Sequence, residues 1–175
     1  MTIVTRIGLL ALFLGVAAVA SAASAEVRIG IVDIQKILVL SEPGKAAKSE
    51  LAAKAAAYDG EKNQKEEELK KLKGELERQS VLLNESARSA KEREYQQKLR
   101  EFQRFMKDAQ DDLQMKNDEL TNRIGDDIVK LVQEYGKKNG FTTIFIKNDA
   151  MIYTDDSIDL TDTLLNLFNQ SQKKR

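Results

Sequence analysis

The chain has 175 residues, of which 32% are charged and 6% aromatic, and its 28 basic and 28 acidic side chains give a net charge of zero. It has no Cys, no His and a single Pro, which excludes disulfides, thiol nucleophiles, imidazole bases and the usual zinc ligands. The balanced charge disfavours a nucleic-acid binder, and mixed charges with few aromatics are typical of long helices and coiled coils.

A secretory signal peptide is predicted for residues 1–25. Arg6 precedes an uncharged apolar run over residues 7–20, and Ala23-Ser24-Ala25 has the small residues that a signal peptidase accepts. A membrane anchor is the alternative, but the run is shorter than the roughly 20 residues that span a bilayer. We therefore expect cleavage after Ala25 and a soluble protein in the bacterial envelope or outside the cell, without a Cys for a lipid anchor.

The segment after the cleavage site predicts a strand followed by a short helix. Apolar residues alternate along residues 27–33, which is typical of a half-buried strand. Asp33 is placed to cap a helix over residues 34–40. Residues 41–44 then predict a break, with Pro43 close to the start of the next helix.

Residues 45–139 form a long helical segment, in which Pro is absent and Ala, Glu, Lys, Leu and Gln are frequent. Apolar residues recur at alternating spacings of four and three in each half, which is typical of a coiled-coil seam. The seam positions of the first half are Leu51, Ala55, Tyr58, Lys62, Lys65, Leu69, Leu72, Leu76, Gln79 and Leu83. Those of the second half are Tyr95, Leu99, Phe102, Met106, Ala109, Leu113, Lys116 and Leu120.

An antiparallel hairpin would let the two seams cover each other. We predict its turn near residues 84–89, where small polar residues cluster, and a register that pairs Leu76 with Leu99. Asn139-Gly140 ends the second helix, because Gly readily adopts the left-handed conformation found at helix ends. The predicted arm therefore spans residues 44–139 and is roughly 60 Å long.

Residues 59–68 interrupt the seam because they contain no apolar side chain. Gly60 costs about 1 kcal/mol relative to Ala inside a helix, and Lys62 and Lys65 occupy seam positions. Two interpretations stay open. The first is a soft joint that lets the outer arm swing, with Gly60, Lys62 and Lys65 as hinge candidates. The second is a solvated patch in which lysine stems cover the facing helix.

The C-terminal segment predicts two more strands and a closing helix. The strands are residues 141–147 and 150–154, joined by a two-residue turn at 148–149. The helix covers residues 160–169 and is capped by Asp159.

Residues 26–43 and 140–175 together form a small β-containing body, so the predicted fold class is α+β. Such a body is near the lower size limit for an independent hydrophobic core. Its three short strands would leave open edges, which proteins cover or pair with another chain. We therefore expect copies of the chain to associate through the body.

The sequence contains only fragments of catalytic or ligand-binding motifs. Gly44-Lys45 lacks the Gly at position 39 and the Ser or Thr at position 46 that a phosphate-binding loop needs. The four Asp residues in 155–162 lack the spacing of a calcium loop and fit turns and helix caps, while the three Glu residues 66–68 fit a solvated helix face. We expect no catalytic residues, no cofactor and no metal, and a protein that is not an enzyme.

The order of these features resembles a known family. The segments that carry the resemblance are Ile29-Gly30-Ile31-Val32-Asp33-Ile34-Gln35-Lys36-Ile37-Leu38, Ser41-Glu42-Pro43-Gly44-Lys45 and Asp159-Leu160-Thr161-Asp162. With the signal peptide and the charged hairpin, the mature chain is similar throughout to the Skp (OmpH-like) periplasmic chaperones. The resemblance implies a homotrimer with a β-barrel body and three helical arms around a cavity.

For function, the resemblance implies an ATP-independent holdase in the periplasm of a Gram-negative bacterium. Such a protein binds unfolded outer-membrane β-barrel proteins and carries them to the outer-membrane assembly machinery. The best-known members are distinctly basic, whereas this chain has a pI near 6.4, so lipopolysaccharide binding stays open. The alternative function is a periplasmic coiled-coil spacer or adaptor.

A carrier of unfolded chains needs dispersed apolar contacts rather than one tight pocket. The candidates for client contact are Val81 and Leu82 at the arm tip, and Phe105 and Met115 one position off the seam. Methionine suits adaptable surfaces because its side chain is flexible and polarizable. For Phe105 the alternative is that it widens the seam.

Overall fold

The computed structural model describes residues 27–79 and 84–172. The elements in chain order are β1 (Ile29–Val32), α1 (Ile34–Leu40), α2 (Glu42–Gln79), α3 (Glu85–Lys138), β2 (Thr143–Ile146), one turn of 3-10 helix (Asp156–Ile158) and α4 (Thr161–Gln172). The α+β class is confirmed, because two long helices extend from a small body that contains a two-stranded sheet. The predicted signal peptide (1–25), its cleavage after Ala25, and the candidates Val81 and Leu82 lie outside the described residues.

The two strands of the body are parallel, and the whole helical hairpin forms the connection between them. Ile29 of β1 is aligned with Thr143 of β2. On the other edge of β1, Ile31 forms a parallel bridge with Asp159, and its carbonyl accepts a hydrogen bond from the Leu160 N–H at 2.9 Å. Both edges of β1 are therefore occupied.

The third strand predicted over residues 150–154 is wrong. Residues 149–150 form a turn in which the Asn148 side chain accepts a hydrogen bond from the Ala150 N–H at 3.0 Å, and residues 151–155 have no regular secondary structure. The chain leaves β2 here and reaches the opposite edge of β1 at Asp159. The segment thus connects the two edges of the sheet instead of adding a strand.

The hydrophobic core lies where the arm meets the body. Its buried residues are Val32, Ile37, Ile124, Ile128, Leu164 and Phe168, from β1, α1, α3 and α4. Leu120, Ile124 and Ile128 follow one another at four-residue spacing and are all buried, so this stretch of α3 turns one face toward the body. The base of the arm is consequently part of the core of the body.

The helix ends carry the capping residues that the sequence predicts. Asp33 caps α1 by accepting a hydrogen bond from the Lys36 N–H at 2.8 Å. Asn139 caps the C-terminus of α3, and the following Gly140 has a φ of 68°. A residue with a side chain is strained in that conformation, which explains why glycine stands there.

α1 and α2 are separated by a single non-helical residue, Ser41. Its hydroxyl accepts a hydrogen bond from the Gly44 N–H at 3.2 Å, and a Cβ on Gly44 would lie 1.7 Å from the carbonyl oxygen of Leu38. The break predicted over 41–44 is therefore shorter than expected, because α2 begins directly after Ser41. Pro43 lies in its first turn, where the missing N–H breaks no helical hydrogen bond.

The hairpin reverses direction closer to the N-terminus than the sequence predicts. α3 begins at Glu85, so residues 85–89 of the predicted turn are helical. The side chain of Asn84 caps this helix by accepting a hydrogen bond from the Ala87 N–H at 2.9 Å. Small polar residues favour the start of a helix as well as a turn, and here they start α3. The turn predicted over 84–89 is therefore wrong for residues 85–89.

Candidate functional site

The face of α2 that meets α3 is the one that the sequence predicts. Its half-buried side chains include Leu51, Ala55, Tyr58, Lys62, Lys65, Leu69, Leu72 and Leu76. On α3, however, Phe105 occupies the seam and the predicted Met106 is 38% exposed. Phe105 packs edge-on against Tyr58 with ring centroids 6.0 Å apart.

Four ion pairs connect the two arm helices and define their register. They join Glu50 to Lys116, Lys54 to Asp112, Glu68 to Lys98, and Glu75 to Lys91. Compared with the predicted register, each α2 residue lies opposite an α3 residue roughly two helical turns closer to the arm tip. The predicted pairing of Leu76 with Leu99 is therefore wrong. Two heptad patterns also match after a shift of about seven residues, and the charges that pair between the helices choose between the two registers.

A polar cluster lies within the seam in the inner half of the arm. The Tyr58 hydroxyl donates to Asp112 Oδ2 at 2.6 Å, and Lys54 forms an ion pair with the same oxygen. The hydrogen bonds from Lys54 and Tyr58 hold the pKa of Asp112 below its ordinary value. The hydrogen bond to Asp112 also raises the pKa of Tyr58. The sequence analysis did not predict this cluster. Asp112 follows the seam residue Ala109 by three residues, and this spacing places both on the same face of a helix.

The hinge candidates lie in an uninterrupted helix. Gly60 is exposed, and a Cβ placed on it would have no atom within 4 Å. Lys62 forms an ion pair with Glu66 on its own helix, at 3.9 Å. Lys65 lies over the ring of Phe105, with its Nζ 5.1 Å from the centroid.

The contacts across the seam are unevenly distributed along the arm. Among the described residues, no ion pair crosses the seam between Lys54 and Glu68. The two rings of Tyr58 and Phe105, with Lys65 above the second, span this interval. The middle of the arm is thus held by fewer charged contacts than the parts on either side.

The client-contact candidates within the described residues do not lie together. Phe105 is half-buried in the seam, whereas Met115 is 64% exposed on the outside of α3. A shallow groove beside Phe105 is lined by Tyr58, Glu101, Arg104, Phe105, Asp108, Ala109 and Asp112. Its floor is apolar and its rim charged, so it offers a wide contact surface instead of an enclosed pocket.

The body carries exposed apolar side chains that the sequence analysis did not single out. Phe145 and Ile146 of β2 are about half exposed, Tyr153 is 82% exposed, and Ile152 is fully exposed. Phe145 is aligned with Ile31 of β1, so strand alternation places it on the sheet face opposite to the core residue Val32. The same alternation places Ile146 on the other face, so Phe145 and Ile146 flank, from both faces, the β2 edge that has no strand partner among the described residues.

Within residues 27–79 and 84–172, no helix combines the length and apolar character needed to cross a bilayer. The same residues contain no group of three or more Asp or Glu side chains placed to hold a metal ion.

These features define a class of protein in which a long antiparallel helical hairpin extends from a small body of strands and short helices. Residues 28–168 match the family described as outer membrane protein (OmpH-like), and the chain belongs to this OmpH-like family. An uncharacterized protein of Aquifex aeolicus (strain VF5) is 34% identical over 134 residues, which cover 77% of this chain and 81% of that protein.

A solved structure shares the fold. It comes from Caulobacter crescentus CB15 and is described as a candidate outer membrane chaperone (OmpH-like). The TM-score is 0.77 at 14% sequence identity, and the match covers 83% of this chain and 85% of that chain. At this identity the similarity establishes the common architecture of arm and body.

Proposed function

We propose that this protein is an ATP-independent holdase chaperone of the periplasm. It binds unfolded outer-membrane β-barrel proteins between helical arms and delivers them to the outer-membrane assembly machinery. The observation that carries the proposal is the arm itself, a long hairpin with a shallow, partly apolar flank around Phe105 and an exposed Met115. Such a surface suits many weak contacts with an extended chain better than it suits one compact ligand.

The proposal includes assembly of three copies through the body. The exposed side chains of Phe145, Ile146, Ile152 and Tyr153, and a β2 edge without a strand partner among the described residues, support association of copies. The number three comes from the family resemblance. Apolar surface next to an open strand edge is normally covered by another chain. Three arms around one cavity would then raise the total affinity for a client through multivalency.

Light scattering with an unfolded client tests the proposal. An outer-membrane β-barrel protein is diluted from urea into buffer with and without the purified protein. We expect the client to stay soluble and the mass of the protein to increase by one client per oligomer. A spacer or adaptor would leave the mass unchanged, and precipitation of the client at the rate seen without the protein would contradict the proposal.

A pair of matched variants tests the contact surface. Met115→Ser removes an exposed apolar side chain from α3, whereas Gln114→Ser changes an exposed polar neighbour. We expect the first variant to weaken client binding about 2- to 5-fold, because each contact is one of many, and the second to bind as the parent does. Equal affinities for both variants would remove Met115 from the contact surface.

A further inference from the structure

One face of α3 is basic toward the arm tip and acidic toward the body. Three arginines spaced by seven and four residues lie on the same side of the helix, and three aspartates continue that side toward the body. The six residues, which we name the α3 stripe, are Arg93, Arg100, Arg104, Asp108, Asp111 and Asp118. All six are exposed.

The charges of the α3 stripe are available to a partner. Arg100 has no ion pair among the described residues, and Arg93 donates only to the Ser89 hydroxyl at 2.9 Å. Asp111 forms an ion pair with the exposed Lys107 at 2.6 Å, one helical turn away on the same helix. Asp118 accepts a hydrogen bond from the neutral Gln114 amide. Arg104 forms an ion pair with Asp108 one helical turn away, where both side chains are more than 60% exposed. Pairs of this kind contribute little and exchange readily.

We propose that the α3 stripe is an interface for a second copy of the same arm, packed antiparallel. In this arrangement Arg93, Arg100 and Arg104 of one copy face Asp118, Asp111 and Asp108 of the other. A two-fold axis repeats each contact, so three matches along the stripe become six ion pairs. A parallel arrangement would place like charges opposite each other, so the charge pattern selects the antiparallel one.

The geometry of the arm permits this contact. The two-fold axis passes between Arg104 and Asp108, and α3 extends about 30 Å from there to its start at Glu85. The tip of each arm then lies beside the base of the other arm, close to the buried Ile128 where the body begins. The two bodies remain at opposite ends, and Met115 of each copy faces the Gln96–Gln97 segment of the other.

This contact goes beyond client binding, because it joins the arms of two assemblies whose bodies do not touch. Each exposed ion pair is weak, so a single pair of arms associates only transiently. Several arms that engage together raise the overall affinity. Since salt screens exposed charges, the association depends strongly on ionic strength.

The test compares the mass of the secreted chain at low and high salt by sedimentation. We expect the mass at about 20 mM salt to be twice the mass at about 500 mM salt. Arg93→Glu/Arg100→Glu and Asp111→Lys/Asp118→Lys each keep the high-salt mass at both concentrations. An equimolar mixture of these two variants doubles its mass at low salt, because each stripe then faces its complement.

A matched control separates the α3 stripe from net charge. Arg88→Glu/Arg123→Glu changes the charge by the same amount at two exposed arginines that lie off the stripe, and it keeps the doubling. A parent mass that is independent of salt, no doubling in the mixture, or loss of doubling in this control would each overturn the proposal. The experiment uses no client and compares mass ratios, so its outcome does not depend on the holdase proposal.

Discussion

Tyr58 of α2 donates its hydroxyl hydrogen to Asp112 of α3 across 2.6 Å. This bond lies in a seam that also contains apolar residues such as Leu51 and Leu69, and Lys54 pairs with the same carboxylate oxygen. A polar group inside a seam restricts the register, because a shift of either helix leaves donor and acceptor unmatched. The cluster is therefore a determinant of the alignment of the two arm helices.

A charge swap tests this role. Lys54→Glu places two carboxylates opposite each other, and we expect the Tm of the arm, followed by circular dichroism, to fall by about 2–4 °C. The double variant Lys54→Glu/Asp112→Lys restores the opposite charges and most of the lost Tm. If the double variant were no more stable than the single one, the ion pair would not contribute to the register.

The pH dependence of the arm should follow the carboxylates that pair across it. The ion pairs with Lys54 and Lys91 lower the pKa of Asp112 and of Glu75 from ordinary values of 3.8 and 4.5. A carboxylate whose pKa is lower in the folded state stabilises that state above its unfolded pKa, and this stabilisation is lost as the pH falls through the folded value.

We therefore expect the Tm of the arm to be constant from pH 7 to about pH 5 and to decrease below that. Asp112→Asn/Glu75→Gln removes the two titrating groups, so its Tm should start lower and fall less steeply in acid. The effect is modest because both carboxylates are partly exposed. An identical acid slope in parent and variant would show that other carboxylates dominate.

Capping signals in the sequence predicted two helix ends correctly. Asp33 caps α1 and Gly140 ends α3 because both effects depend only on neighbouring backbone groups. The seam of α2 was also predictable, since helical periodicity decides which side chains share a face. The exposure of Phe145 and Ile146 on β2 was not predictable, because the sequence does not show which strand edge stays without a partner.

Two of the errors have a common cause in contacts between distant segments. The register of the arm was misjudged because heptad patterns match again after a shift of one repeat, whereas Glu68 and Lys98 pair in only one alignment. Residues 150–154 have strand-like composition, but the second edge of β1 is already taken by Asp159. A strand forms only where a partner edge is available.

The contribution of the arm base to the core can be tested with adjacent residues. Ile128 is completely buried in the core, whereas its neighbour Val129 is 40% exposed. We expect Ile128→Ala to reduce the free energy of unfolding by about 2–4 kcal/mol and Val129→Ala to change it by less than about 0.5 kcal/mol. Chemical denaturation of both variants measures the difference, and similar losses would mean that α3 packs on the body differently.

Two glycines of α2 should respond oppositely to the same substitution. Gly44→Ala places a Cβ 1.7 Å from the Leu38 carbonyl oxygen, so the joint between α1 and α2 must open, at a cost of about 3 kcal/mol in unfolding free energy. Gly60→Ala meets no atom within 4 Å and should stabilise the helix by up to about 1 kcal/mol. Thermal unfolding of both variants measures the effects, and a tolerated Gly44→Ala would contradict the close contact.

Gly60 also allows a test of whether residues 59–68 form a soft joint. Among the described residues no ion pair crosses the seam between Lys54 and Glu68, so we expect amide hydrogens of residues 59–68 to exchange faster than those of 69–76. Gly60→Ala should slow exchange in 59–68 and leave 69–76 unchanged, because it stiffens only the middle of the arm. Gly74→Ala is the matched control, since its Cβ also meets no atom within 4 Å. Gly74 lies in the outer part of the arm, where the Glu68–Lys98 and Glu75–Lys91 ion pairs cross the seam. Protection of 59–68 equal to that of 69–76 in the parent would mean that lysine stems cover the seam as firmly as leucines do, and the arm would then behave as one rigid rod.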